Sequence, residues 1–212
     1  MPTLRSDTPR TTLLDTAERL FAEQGITAVS DRKVAEEAGQ RNHSAVAYYF
    51  RNREGLLRAL IERQTSSLDP ERQALFEASD SLLDDVRSLV LPLTDDLASL
   101  PLPTYRARFL ARAFHNPIAS GLTRESVDVS PVARAIGASL LRRLDHLDPA
   151  IAKGRLTLMT QMVLHSCADV ERMAESNNTA PPWRSVGLFL CDAIAGMLQA
   201  PSSQSSRYPD LD

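Results

Sequence analysis

Arg41, Asn42, His43 and Ser44 stand in a row, and Tyr48, Tyr49, Arg51 and Arg53 follow within a few residues. Such a cluster suits the reading of a nucleic-acid duplex. An arginine guanidinium pairs with O6 and N7 of guanine, and an asparagine amide with N6 and N7 of adenine. Tyrosine hydroxyls and further arginines hold phosphates. Tyr48, Tyr49 and Arg53 are the candidate phosphate ligands.

The charge distribution agrees with this better than the total does. The chain of 212 residues has a formal net charge of −3. From Gly39 to Arg63, five arginines face two acids, a local balance of +3. From residue 65 onward, 14 basic residues face 18 acids, a balance of −4. A basic strip is thus set in an acidic body. The cysteines, Cys167 and Cys191, form no Cys-x-x-Cys, and the first residues lack the apolar run of a signal peptide. The longest apolar stretch, Gly187–Leu198, contains Asp192 and is too short to cross a bilayer. A cytoplasmic protein with no membrane partner is expected. The chain has no glycine-rich phosphate loop, no Gly-x-Ser-x-Gly and no His-Glu-x-x-His. Its histidines (43, 115, 146 and 165) are scattered. We therefore expect no enzyme, no cofactor and no metal site. A helical adaptor that binds protein is the remaining rival, and it would bind no duplex at any salt.

The elements that must position these groups read as all-α, with no period-2 alternation. Leu13, Leu14, Ala17, Leu20 and Phe21 share one face of a helix over residues 11–24, which Gly25 ends. A second helix starts at Ser30, whose hydroxyl caps it, and stops at Gly39. A short third spans 44–50, and a fourth begins near Asn52. Asp69-Pro70, Ser130-Pro131 and Asp148-Pro149 each pair a capping side chain with a proline suited to a first helical position. They predict helices over 70–79, 131–146 and 149–175; further helices are expected at 81–99, 104–115 and 182–199. Pro92 should kink or divide the 81–99 helix. The tail, 201–212, is expected to be disordered.

Two short helices joined by a glycine-led turn, ahead of the basic strip, form a helix-turn-helix pattern. The residues from Ala17 to Gly39 read AERLFAEQGITAVSDRKVAEEAG, and those from Tyr48 to Leu57 read YYFRNREGLL. In these the chain resembles the TetR family of bacterial transcriptional repressors. The family's Gly-Val-Ser turn is here Gly39-Gln40-Arg41. The segment from Gly39 to Phe50 is one residue longer than usual, and Ala47 replaces the family's common tyrosine.

The resemblance implies a DNA-binding domain over 1–52 and a ligand-binding and dimerisation domain over 53–200. It implies a repressor that binds a palindromic operator as a homodimer and leaves it when a small-molecule effector binds. Ser30, Arg32 and Lys33 would meet the DNA backbone from the second helix, and Arg53 takes the family's lysine position. Arg41, Asn42, His43 and Ser44 would lie at the entry of the recognition helix, Arg41 and Asn42 as base readers, and Arg5 and Arg10 would form an arm that reaches a neighbouring minor groove. The last two long helices would form the dimer interface, through Val163, Cys167, Val170, Phe189, Leu190, Ala193 and Met197. Tyr105, Phe109, Phe114 and His115, with Met159, Met162 and His165 opposite, would line the effector chamber.

Overall fold

The computed structural model describes residues 8–202, without the side chains of residue 66 and residues 124–129. The described part is all-helical: α1 Pro9–Gln24, α2 Asp31–Glu37, α3 Ala45–Phe50, α4 Arg53–Glu77, α5 Leu82–Ser99, α6 Arg106–His115, α7 Pro117–Val129, α8 Pro131–Arg143, α9 Pro149–Asn177 and α10 Trp183–Gln199. Arg5 and most of the expected tail lie outside the described residues.

Two apolar cores organise these helices. The first gathers Leu13, Leu20, Phe21, Val34, Val46 and Phe50 of α1–α3 with Leu56, Leu57, Leu60 and Ile61 of α4. The second gathers Leu68 of α4 with residues of α5, α8, α9 and α10, among them Val90, Ile136, Met159 and Leu190. The same α4 therefore supplies both cores, with no loop between head and body.

Two prolines act differently from the sequence reading. Pro70 lies inside α4 and starts no helix; Asp69, expected as a cap, instead pairs with Arg72 at 3.4 Å. Pro92 lies buried within α5 without dividing it. A proline in a helix interior forfeits one backbone hydrogen bond, and both helices continue past it; around Pro92 the apolar face of α5 is buried. α7 was not anticipated, although it bears the same signature as the helices that were. Asn116 precedes Pro117, and its Oδ1 accepts from the amides of Ile118 (3.2 Å) and Ala119 (3.1 Å).

Ionic contacts tie the head to the body. Arg63 of α4 donates to Asp15 and Glu18 of α1, each at 2.6 Å. Arg106 of α6 reaches Asp96 of α5 at 2.9 Å and Glu18 at 3.6 Å. Arg112 donates from Nε to the Ala22 carbonyl at 2.9 Å, meeting the negative end of α1 with a cation. Phe21 and Phe109 pack at 6.2 Å beneath these contacts.

Within the body, Glu171 of α9 is 2% exposed. Its carboxylate accepts from Thr104 Oγ1 (2.6 Å), the amides of Ala107 (3.2 Å) and Arg108 (3.0 Å), and Arg108 Nε (3.1 Å). α6 has no side-chain cap of its own, so Glu171 caps it from a distant part of the chain. Asp85, fully buried, likewise joins α5 to Arg143 (2.8 Å) and Ser79 (2.6 Å). Both cysteines are buried and unbridged. Burial pushes the Cys167 thiol up to about 12 and the Cys191 thiol to about 11, which leaves them as unreactive core residues.

The Glu71 carboxyl of α4 is raised above its ordinary pKa, first by desolvation and then by the neighbouring Asp95. An acid with a raised folded pKa adds stability below its unfolded pKa and loses it as pH rises through the folded value. Glu71→Gln should therefore raise the melting temperature at pH 7, and the gain should vanish towards pH 4; thermal melts at the two pH values check this.

Candidate nucleic-acid interface

α2 begins at Ser30, whose Oγ accepts from the Lys33 amide at 3.1 Å. Lys33 extends its ammonium to Gln24 Oε1 at 2.7 Å, joining α2 to the end of α1. Arg32 is well exposed and meets Glu36 at 2.7 Å; His43 Nδ1 stands 3.6 Å from the same carboxylate. The hydrogen bond from Arg32 holds Glu36 below its ordinary pKa. Gly39, at φ +68°, turns the chain out of α2, a conformation that a Cβ would strain.

Arg41, Asn42, His43 and Ser44 are all exposed on the turn that follows. Asn42 Oδ1 accepts from the Ser44 amide at 2.9 Å. That oxygen is committed to the turn, which weakens the bidentate adenine role expected of Asn42. α3 then buries Ala45, Val46 and Phe50 and turns Tyr48 (78% exposed) and Tyr49 (36%) outward. The two tyrosine rings meet edge to face at 4.9 Å. Arg10, expected in a free arm, places its guanidinium 5.1 Å from the Phe50 ring.

Arg53 is engaged within the fold. Its guanidinium donates to Asp31 Oδ1 at 2.7 Å and to the Ile26 carbonyl, and lies 4.4 Å over the Phe21 ring. These contacts fasten α4 to α1 and α2 and leave little of the cation for a phosphate. Arg51 is the better candidate, and the sequence reading stopped short of naming it as a site residue. It is exposed at the end of α3, with a positive φ (+69°) that is uncommon for a side-chain-bearing residue. Gly55 explains how α3 is aimed. A Cβ there would lie 1.9 Å from the Phe50 carbonyl oxygen, so the first turn of α4 presses on the end of α3.

The expected effector residues have different surroundings among the described residues. Phe109 belongs to the first core and Met159 to the second, where Met162 is half-buried against it. Tyr105 is half-buried under the Arg108 guanidinium at 5.0 Å, and Phe114 meets His115 edge-on at 5.2 Å. His115 and His165 do come together, their Nε2 atoms 3.0 Å apart. They line a groove of about 730 Å³ between the end of α1, α6 and α9.

Of the expected dimer residues, Val163, Cys167 and Leu190 are buried in the chain's own second core. Helical periodicity marks a buried face without saying what buries it. Val170, Ala193 and Met197 are half-buried. Phe189 is 69% exposed, and Leu158, Met173 and Leu188 are exposed with it on α9 and α10.

Residues 13–60 match the model of the bacterial regulatory proteins of the tetR family. No curated protein matches the sequence. Among solved structures, a tetR family transcription regulator from Shewanella sp. PV-4 is similar at a TM-score of 0.59 and 17% identity, with 90% of this chain and 96% of that one covered. AmtR of Mycobacterium smegmatis is similar at 0.60 and 16%, covering 96% and 92%. FadR of Bacillus subtilis, solved with stearoyl-CoA, is similar at 0.55 and 15%, covering 89% and 96%. At these identities the structures establish a shared fold, and the family model matches the head alone. Over residues 13–60 the chain is similar to the tetR family of bacterial regulatory proteins.

Proposed function

We infer that the protein is a cytoplasmic repressor that binds a palindromic operator as a homodimer and releases it when a small-molecule effector binds the body. The observation that carries this reading is the outer surface of α3 and its entry turn. Arg41 and Tyr48 stand exposed there above a buried anchor of Val46 and Phe50. A solvent-facing tyrosine on a short helix does nothing for the core. Against duplex DNA it meets a phosphate while Arg41 reaches a base. Arg32, His43, Tyr49 and Arg51 extend that contact surface.

The homodimer follows from the apolar outer faces of α9 and α10. Leu158, Met173, Leu188 and Phe189 leave a hydrophobic surface that a second copy would cover. Half-sites are spaced by about 34–36 Å, so a change in the separation of the two α3 helices defeats simultaneous contact. An effector preferring the non-binding spacing by about 3 kcal/mol would weaken operator binding about 150-fold. Two similar regulators are solved with or named for such molecules, FadR with stearoyl-CoA and KstR2 of Mycobacterium tuberculosis as a ketosteroid regulator. The functional division of the chain falls within α4.

Mobility shifts with the DNA upstream of the gene test the reading. Binding should fall steeply with salt, as phosphate contacts require. Tyr48→Ala combined with Arg41→Ala should weaken it by about 2–4 kcal/mol, on the order of 30–1000-fold, without changing the helical circular dichroism. Unchanged binding by this double variant would refute the assigned surface. Arg53→Ala is unsuitable for the purpose, because it also loosens the head.

A further inference from the structure

The histidine pair in the groove serves no part of the DNA-binding reading. His115 ends α6 and His165 lies midway along α9, and their Nε2 atoms face each other at 3.0 Å. Imidazole is the commonest protein ligand of divalent transition ions. With metal–nitrogen bonds of about 2.0–2.1 Å, two ligand nitrogens lie about 2.9 Å apart at a right angle and about 3.4 Å apart in a tetrahedron. The observed separation falls between these values. The rings now face each other end to end, their centroids 5.2 Å apart; each ring must turn by about 40° to aim its Nε2 lone pair at an ion about 1.4 Å off the line joining the nitrogens, a side-chain movement that leaves both helices in place.

The surroundings suit a dication. Asp169 lines the same groove one helical turn beyond His165, and so lies on the same face of α9. It is held only by an exposed ion pair to Arg172 at 2.7 Å, a kind of contact worth little and easily exchanged. The arginines at the groove are also balanced. Arg108 is paired with Glu171 and Glu175, and Arg112 is turned to the carbonyls of Ala22 and Glu23. Counting the lining groups Arg108, Arg112, Arg172, Glu23 and Asp169 with their ion-pair partners Arg19, Glu171 and Glu175 leaves no net positive charge to repel a dication. No cluster of three or more His, Cys, Asp or Glu that could hold a metal exists among the described residues. The site is therefore a two-histidine clip whose remaining positions are open to water, to Asp169 after it leaves Arg172, or to an outside ligand.

We propose that His115 and His165 bind one divalent transition-metal ion, of the copper(II), nickel(II) or zinc(II) class, in the groove between head and body. Both rings bind as neutral imidazoles with the proton on Nδ1, so Nε2 offers its lone pair. The ion clamps α6 to α9 at the end of the helix that, through Arg112, also holds α1. The fifty residues between the two histidines hide the pair from any reading by sequence spacing.

The test uses the full chain freed of any histidine tag. Copper(II), nickel(II) and zinc(II) chlorides are titrated by calorimetry, with magnesium chloride as the control. One ion of at least one of the three metals should bind per chain and raise the melting temperature, and magnesium should do neither. Copper(II) should show nitrogen hyperfine coupling from two imidazoles in its electron paramagnetic resonance spectrum. His115→Gln and His165→Gln should each weaken binding at least about tenfold, whereas His146→Gln, far along the chain, should not. The proposal is overturned if no metal saturates, or if either groove variant binds as the parent does. It is also overturned if the variants lower the metal-free melting temperature while the metals never shift it, for then the pair is only a hydrogen bond. None of these outcomes bears on operator binding, which is measured separately.

Discussion

Glu171→Ala is expected to melt about 10 °C below the parent. The change removes the acceptor of four hydrogen bonds at a site that is 2% exposed. It strands two amides at the start of α6 and leaves Arg108 with only Glu175 as its ionic partner. Removing one partner of a buried ion pair costs about 3–5 kcal/mol. For a chain of this size each kcal/mol moves the melting point by about 2–4 °C. Glu171→Gln keeps two acceptor sites on one oxygen and should fall between parent and alanine variant. Thermal circular dichroism decides the matter. A melt within a degree or two of the parent would mean that α6 does not depend on its remote cap.

Gly55→Ala should cost the protein its operator at little cost to its helicity. The added methyl would stand 1.9 Å from the Phe50 carbonyl oxygen, far inside contact distance, and that oxygen belongs to backbone that cannot swing aside. Either α3 tilts or the first turn of α4 unwinds, and both change the direction of Tyr48 and Tyr49. Displacing even two of the polar contacts, at about 1–3 kcal/mol each, lowers affinity by more than about tenfold. The comparison variant is Gly137→Ala in α8, where a Cβ meets nothing within 4 Å. That change should leave affinity unaltered and stabilise the fold by up to about 1 kcal/mol through helix propensity. Mobility shifts with both variants on the same DNA separate loss of aim from general damage. Full affinity in Gly55→Ala would show that the α3–α4 corner is not what orients the reading surface.

The head was legible in the sequence because its signals are local. Ser30 and Gly39 bracket α2 by capping and by a turn, and the buried face of α1 repeats at the helical period. The body was less legible because its determinants are remote. Pro70 resembles a helix start until the continuous run of α4 from Arg53 to Glu77 is known. Arg53 occupies a position typical of a phosphate ligand, yet Asp31, Ile26 and Phe21 lie against it only once the chain has folded. The stripe of Val163, Cys167 and Leu190 shows that a face is buried, and only the packing shows that the same chain buries it. Glu171 carries no sequence mark of its role as a cap, since its partners at 104–108 come from another part of the chain.

The unbroken run of α4 through both cores sets a rule of phase for anyone recombining such proteins. Each residue added to a helix turns everything beyond it by about 100° and advances it by about 1.5 Å. One residue inserted between Ile61 and Leu68 would therefore swing the body a quarter-turn or more around the head. Arg63 would then be torn from Asp15 and Glu18, or the second core from Leu68. Seven residues, close to two full turns, would nearly restore the angle but add about 10 Å of length. A head grafted onto another body must be spliced in register within this helix, as gear teeth are matched, because no slack segment lies there to absorb an error.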